Sequence, residues 1–394
     1  MRESYDVAIA GAGIVGAACA AECAAAGLKV VIVEPGPIGG GATAAGMGHI
    51  VVMDDSPAQI ALTHYSRTLW QEMAPDLPFD VEYVATGTIW VAADEEEMEE
   101  VSRKQAVYAG INVRAEVLDR KALAEAEPNL RANLAGGLLV PDDAVIYPPC
   151  GARFLLDRAR LLGAEVRTGE GAAQLTEEGI QLRDGSRLPA AITVNATGAW
   201  APELTPGIEV RKRKGHLVIT DRYPNFVRHQ LVELGYLKSA HSTTADSVAF
   251  NAQPRRTGQI LIGSSRQFGA EHSATDPPIL GRMLARAAEY MPGLPELSAI
   301  RCWTGFRAAT PDKLPLIGPC PEQPRLCLAT GHEGLGITTS LGTAKLLAAQ
   351  LTGKPCAIPI EPYLPSRKQN ETHEAHPSPG PRPPIPGPQE IRHG

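Results

Sequence analysis

Apolar runs alternate with helix-length stretches along the first half of this chain. Val7, Ala8 and Ile9 form a short strand. A small-residue run from about Ile14 to Ala26 forms a helix, and Lys29 to Glu34 forms a second strand. Ile60, Leu62, Leu69 and Trp70 are the apolar members of an amphipathic helix expected over Pro57 to Met73. Tyr83 to Val91 reads as a strand and Asp94 to Ala109 as a charged helix whose acidic start complements its dipole. Leu118 to Pro128 is a short helix stopped by its proline. Gly136 to Val140 is read as a strand and Pro149 to Leu162 as a helix, followed by strands at Ala164 to Thr168, Gly179 to Arg183 and Ala191 to Gly198. From about Arg211 to Ile300 the pattern changes. Strands at His216 to Thr220, Ser247 to Asn251 and Gln259 to Ile262 lie close together, with one helix near Leu280 to Tyr290, which predicts antiparallel pairing. A strand from Leu326 then leads into a helix ending near Leu351.

Glycines punctuate the first strand–helix unit. Gly11, Gly13 and Gly16 have the G-x-G-x-x-G spacing, in which the first permits a tight turn, the second admits a pyrophosphate and the third lets helix and strand pack closely. The helix start at Ile14 and Val15 presents its N–H groups and positive dipole end to that phosphate. Glu34 falls 18 residues after Gly16, where a carboxylate accepts from ribose hydroxyls and repels a 2′-phosphate. A purely structural glycine turn is the alternative, but strand, turn, helix, strand and acid in this order favour an adenine dinucleotide. Gly39 to His49 is a second glycine-rich stretch, read either as a loop whose amides surround another part of a long ligand or as a merely flexible loop. Ala-Thr-Gly recurs at the ends of two later strands, at Thr197-Gly198 and again at Gly331. The second recurrence opens the last helix; if it meets the first turn in space, its dipole would stabilise negative charge building on an isoalloxazine ring as that ring accepts a hydride. The distance of Gly198 from Gly16 implies a discontinuous nucleotide domain.

Composition narrows the class. A chain of 394 residues with 44% hydrophobic residues can fill a sizeable core, and a net charge of −7 argues against a nucleic-acid surface. Seven scattered cysteines without a C-x-x-C pair suggest reduced thiols in the cytoplasm and supply no metal or iron–sulfur site. The N-terminal stretch lacks the charge pattern of a signal peptide, and no segment reads as a membrane span; peripheral contact with the inner membrane stays open. Arg211-Lys-Arg-Lys214 reads as a solvated face or a contact to an anionic cofactor. From about Glu361 proline, glycine, serine and histidine dominate, which predicts a disordered tail over 361–394 with polyproline II character, or a proline-rich ligand for a partner.

Three blocks, Gly11 to Glu34, Val194 to Trp200 and Gly305 to Thr338, together resemble the D-amino-acid oxidase-like flavoprotein family, over about residues 1–360. The wording of Gly41 to Ile50 and His332 to Ser340 is most similar to catalytic (beta) subunits of D-hydroxyproline or proline dehydrogenases. The resemblance implies an α/β fold. A discontinuous Rossmann-type FAD-binding domain (1–80, 145–212 and 300–360) would carry a substrate domain on a mainly antiparallel sheet (81–144 and 213–299). Besides Gly11, Gly13, Ile14, Val15, Gly16 and Glu34, it places FAD against Thr43, Ala45, Gly46, Met47, Ala173, Thr197, Gly198 and the run Gly331, His332, Glu333, Gly334, Leu335, Gly336, Ile337 and Thr338.

The resemblance assigns Arg307, in Gly-x-Arg-x-x-T-x-D, to the substrate carboxylate; a structural pair with Asp312 is the alternative. Glycine oxidase-like members carry an arginine where this chain has Gly334 and a tyrosine near Asn251, and these departures count against a glycine oxidase assignment. Members with covalent flavin carry a cysteine near Gly305, so FAD is expected to be non-covalent here unless Cys302 or a histidine serves as the attachment point. His49 and His332 are candidates for a direct role, with packing as the alternative, and no general base is named. The implied reaction is oxidation of a small amino or imino acid to the imine by hydride transfer to flavin. The alternatives are a peroxide-forming glycine or sarcosine-type oxidase, and a non-catalytic subunit. A dehydrogenase of the complex-forming type would pass electrons to partner subunits carrying electron-transfer centres, or to quinone.

Overall fold

The computed structural model describes residues 4–235 and 246–367. Strand β1 (Tyr5–Ala10), helix α1 (Ile14–Ala25) and strand β2 (Val30–Glu34) form the expected crossover, with β1 and β2 parallel and Ile9 opposite Ile32. The sheet around them runs Leu316–Pro319, Leu326–Thr330, Arg187–Asn195, β1, β2, Glu165–Thr168, parallel except at the Leu316–Pro319 edge, and the antiparallel hairpin Ala172–Thr176 and Gly179–Leu182 joins it at Arg187–Asn195. Strands buried on both faces must be apolar throughout, which is why β1 and β2 read as continuous rather than alternating runs. Nine of the twelve residues of α1 are buried, because it packs between this sheet, the Pro148–Leu161 helix and the last helix, Gly336–Thr352. Alanine and glycine at those positions let three backbones approach closely.

The second sheet runs Ala299–Ala309, Arg211–Thr220, Ile260–Phe268, Ser247–Pro254, Gln230–Glu233, Thr88–Ala92, Gly136–Val140, Glu116–Asp119. It is antiparallel except where Gln230–Glu233 meets Thr88–Ala92. The Pro277–Tyr290 helix covers one face, with Phe250 stacked on Tyr290 at 4.8 Å.

Several expectations need correction. Ala299–Ala309 pairs along its length with Arg211–Thr220, so residues 300–309 belong to the second sheet although the Rossmann-type unit was expected to start at 300. The strand expected from Tyr83 begins only at Thr88; before it, Val84 makes an isolated bridge to Val145. Leu118 and Asp119 end a strand, and the helix starts at Arg120, where the Asp119 carboxylate caps the Ala122 amide at 2.8 Å. The basic run is a solvated face only in its first half, where Arg211 is exposed and Lys212 half-buried. Lys214 is fully buried with its Nζ donating to Ala274 O at 2.6 Å, and Arg213 pairs with Glu333 at 2.9 Å.

The chain remains ordered past 361. Tyr363 is buried and donates to Ala58 O at 2.6 Å, and Arg367 holds Asp312 through two bonds of 2.8 and 3.0 Å. The rest of the proline-rich stretch, from 368, lies outside the described residues. All seven cysteines are free thiols. Among the described residues no helix is long and apolar enough to cross a membrane, and no cluster of histidine, cysteine and carboxylate side chains could hold a metal.

Candidate active site

A cavity of about 470 Å³ extends from the β1–α1 turn to the second sheet. Its first end is built from backbone. Gly11 takes a φ of +102°, and a Cβ there would lie 2.7 Å from Ala196 O. A Cβ on Gly16 would lie 1.9 Å from Gly11 O, so α1 crosses the turn only as glycine at that point. The start of α1 has no acidic residue and no capping side chain on Gly13; Thr43 reaches in from the second glycine-rich stretch, its Oγ1 accepting from the Ile14 amide at 3.0 Å. Glu34 accepts from the amides of Ala12 and Gly36 at 2.8 and 2.9 Å, one on each oxygen, which leaves each oxygen a further lone pair at the cavity wall.

The opposite end is built from side chains. The Arg307 guanidinium lies over Gly215, where a Cβ would come within 2.4 Å of Nη1, and donates to Ser265 O at 3.0 Å. Asp312, the carboxylate of the alternative pair, is held by Arg367 through both of its oxygens. His49 lines the cavity beside Arg307, with its Nε2 buried and without a hydrogen-bond partner. Burial first, and the nearby guanidinium second, push its imidazole down to about 4, so it is neutral at pH 7. Burial alone takes His332 down to about 3; its Nε2 lies 2.9 Å from Thr343 Oγ1. Neither ring is poised to exchange a proton near neutral pH. Between the two ends, Trp200 stands edge-on to Phe306, with centroids 6.0 Å apart.

Residues 6–350 match the family model described as "FAD dependent oxidoreductase" (DAO). The chain belongs to this family. It is therefore an FAD-dependent oxidoreductase with the α/β fold of that family. It is 29% identical to the hydrogen cyanide synthase subunit HcnC of Pseudomonas aeruginosa over 94% of this chain and 98% of that one. It is 30% identical to glycine oxidase of the same organism over 92% of this chain and 99% of that one. The crystal structure of glycine oxidase from Geobacillus kaustophilus superposes with a TM-score of 0.83 at 27% identity, covering 93% of this chain and 99% of the other.

The residues present fit FAD. The glycine turn leaves backbone exposed where a diphosphate must approach, α1 starts against the cavity without an acid, and Glu34 keeps acceptor capacity where ribose hydroxyls would lie. Of the residues expected to hold FAD, Gly11, Gly13, Ile14, Val15, Glu34, Thr43, Ala45, Gly46, Met47, Thr197, Gly198, His332, Glu333, Gly334, Gly336 and Ile337 line the cavity, as does Arg307.

Five do not, each for a local reason. Gly16 serves the turn. Ala173 points outward and its neighbour Ala172 faces in, a one-residue error in strand alternation. Gly331, at φ +80°, fits the turn under Thr310. Leu335 precedes the last helix and packs against the Val51–Met53 cluster. Thr338 donates to His49 O at 2.7 Å and so positions the histidine loop from behind. Arg183, Gly215, Leu217 and Ser264 line the cavity without any local motif that announces them.

Proposed function

We propose that this FAD-dependent oxidoreductase oxidises the CH–NH group of a small amino or imino acid to the imine, with Arg307 binding the carboxylate. The observation that carries the reading is the Arg307 guanidinium at the cavity wall, held over Gly215 by its bond to Ser265 O. Bound FAD supplies the two-electron acceptor at its isoalloxazine ring. The chain's own part is positional. A planar guanidinium orients a carboxylate through paired N–H bonds, and a carboxylate so fixed aims the adjacent Cα–H. Neutral His49 at the wall adds no positive charge to repel a developing iminium, and no side chain is needed as a strong base.

FAD is held non-covalently in this reading: a Cβ at Gly305 would lie 2.3 Å from Ala45 Cβ, so that strand has no room for a linking side chain, and Cys302 is exposed on the sheet edge. The discontinuous domain plan carries over with its boundary after the Ala299–Ala309 strand. Cyclic imino acids, D-hydroxyproline or proline, are the favoured substrates because Gly334 and Asn251 stand where glycine oxidase-like members have arginine and tyrosine. The likeness to glycine oxidases supports a second reading, a peroxide-forming oxidase of glycine or sarcosine. The likeness to a protein named as a synthase subunit supports partner subunits that accept the electrons in the cytoplasm or at the inner membrane.

The test is anaerobic loss of flavin absorbance at about 450 nm against D- and L-proline, the hydroxyprolines, sarcosine, glycine and D-alanine. Rapid loss with one cyclic imino acid is the expected outcome. Loss only with glycine or sarcosine favours the second reading, and reoxidation in air then separates oxidase from dehydrogenase. No loss with any of them overturns the amino-acid reading and leaves a non-catalytic subunit.

A further inference from the structure

The Ser247–Pro254 strand has two different faces. Phe250 and Ala252 belong to the apolar core of the second sheet, while Asn251 and Gln253 point the other way. Gln253 is a scaffold residue: its Nε2 donates to Met47 O at 2.7 Å and so fixes the cavity-lining methionine loop. Asn251 lies at the cavity wall itself and is only 5% exposed. Its Nδ2 donates to Ser264 Oγ at 3.2 Å, which fixes the amide plane, and its Oδ1 is buried with no hydrogen-bond partner. A buried carbonyl without a donor is costly, and its siting in a ligand cavity marks a place for a ligand N–H.

The neighbour of that place is Arg307. Asn251 is fastened to Ser264 and Arg307 to the carbonyl of Ser265, consecutive residues on the Ile260–Phe268 strand, about 3.8 Å apart at Cα. In an α-amino acid the nitrogen and the carboxylate carbon share one Cα. A carboxylate on Arg307 therefore brings the α-nitrogen within a residue's span of Asn251. An amide suits this task better than a carboxylate would. It accepts an N–H bond without adding negative charge, so it does not favour the ammonium form, and hydride loss from Cα needs the nitrogen lone pair.

Resting on the amino-acid reading above, we propose that Asn251 Oδ1 accepts a hydrogen bond from the substrate's α-nitrogen and makes the site selective for primary and secondary amines. The test is an anaerobic titration of the holoenzyme with two matched pairs. One is sarcosine and methoxyacetate; the other is proline and tetrahydrofuran-2-carboxylate, both racemic. Each pair keeps the carboxylate and replaces N–H by an ether oxygen.

Wild type is expected to favour the amine of at least one pair by about tenfold, the worth of one good hydrogen bond. Asn251→Leu should remove that preference, leave ether-ligand affinity within about threefold, and change the melting temperature by no more than a few degrees, since the lost Nδ2 bond to Ser264 is offset by removal of a buried acceptor that has no partner. In Asn251→Asp the ascending limb of kcat/KM should move about one pH unit higher, as a carboxylate holds the ammonium form. Retention of the amine preference in Asn251→Leu overturns the proposal, as does a lower melting temperature with both ligands of a pair lost together. Wild type binding neither member of either pair overturns the amino-acid reading and this inference with it.

Discussion

The two ends of the cavity are made differently. At the α1 end the wall is backbone laid bare by Gly11 and Gly13, beside the turn that Gly16 closes, within one short stretch of chain. At the second-sheet end the wall is made of side chains, Arg307, Asn251 and His49, each delivered by a different segment, the first two fastened to the Ile260–Phe268 strand. Backbone recognition tolerates little change of shape and discriminates little between ligands with the same phosphate chemistry. Side-chain recognition is tolerant in fold terms and is where selectivity can vary.

That contrast can be broken most severely at Gly16. Its Cβ would meet Gly11 O at 1.9 Å, so Gly16→Ala should cost about 3 kcal/mol or more and yield protein without flavin, read as the flavin-to-protein absorbance ratio. Normal flavin content in that variant would refute the backbone-built account of this end. Arg307→Lys should do the reverse. Flavin content stays normal while kcat/KM on the substrate found in the panel falls about 100- to 1000-fold, because an ammonium cannot offer the fork of a guanidinium. A change confined to flavin content would place Arg307 on the cofactor.

The smallest effect sharpens the comparison at His332, which adjoins both ends. Its folded-state pKa lies below that of the unfolded chain, so its contribution to stability is complete above about pH 6.5 and declines as pH falls toward 3. Between pH 7 and 5 wild type should lose roughly 2 kcal/mol relative to His332→Gln, in which nothing titrates at this position. The gap between their thermal midpoints should narrow by a few degrees over that range. A gap that widens on acidification would mean that the ring is charged in the fold.

The same contrast explains what could be read from the chain. The dinucleotide turn, Glu34 and the start of the last helix are local: their chemistry and their spacing lie within one strand–helix unit, and the structure has them at the cavity. Arg307 was legible through its motif. Gly215, Leu217 and Ser264 were not, because their places depend on register between strands some 50 residues apart, and no periodicity encodes which strand will be a neighbour. Ala172 was missed by one residue for a related reason: alternation marks two faces without saying which one meets the ligand. The tail boundary failed differently. Composition turns proline-rich near 361, yet one aromatic ring and one arginine, Tyr363 and Arg367, suffice to hold the chain against the body for several residues more.

The packing of α1 against the last helix carries a consequence for how the holoenzyme is made. Ribosomes deliver residue 11 first and residue 337 some three hundred residues later, and the cavity takes its walls from both. The dinucleotide turn therefore has its cavity completed only late in synthesis: β1 pairs with Arg187–Asn195, and that strand in turn with Leu326–Thr330. A chain truncated before the last helix lacks the cavity wall from His332 to Ile337, so a complete cofactor cavity exists only once nearly the whole chain has been made.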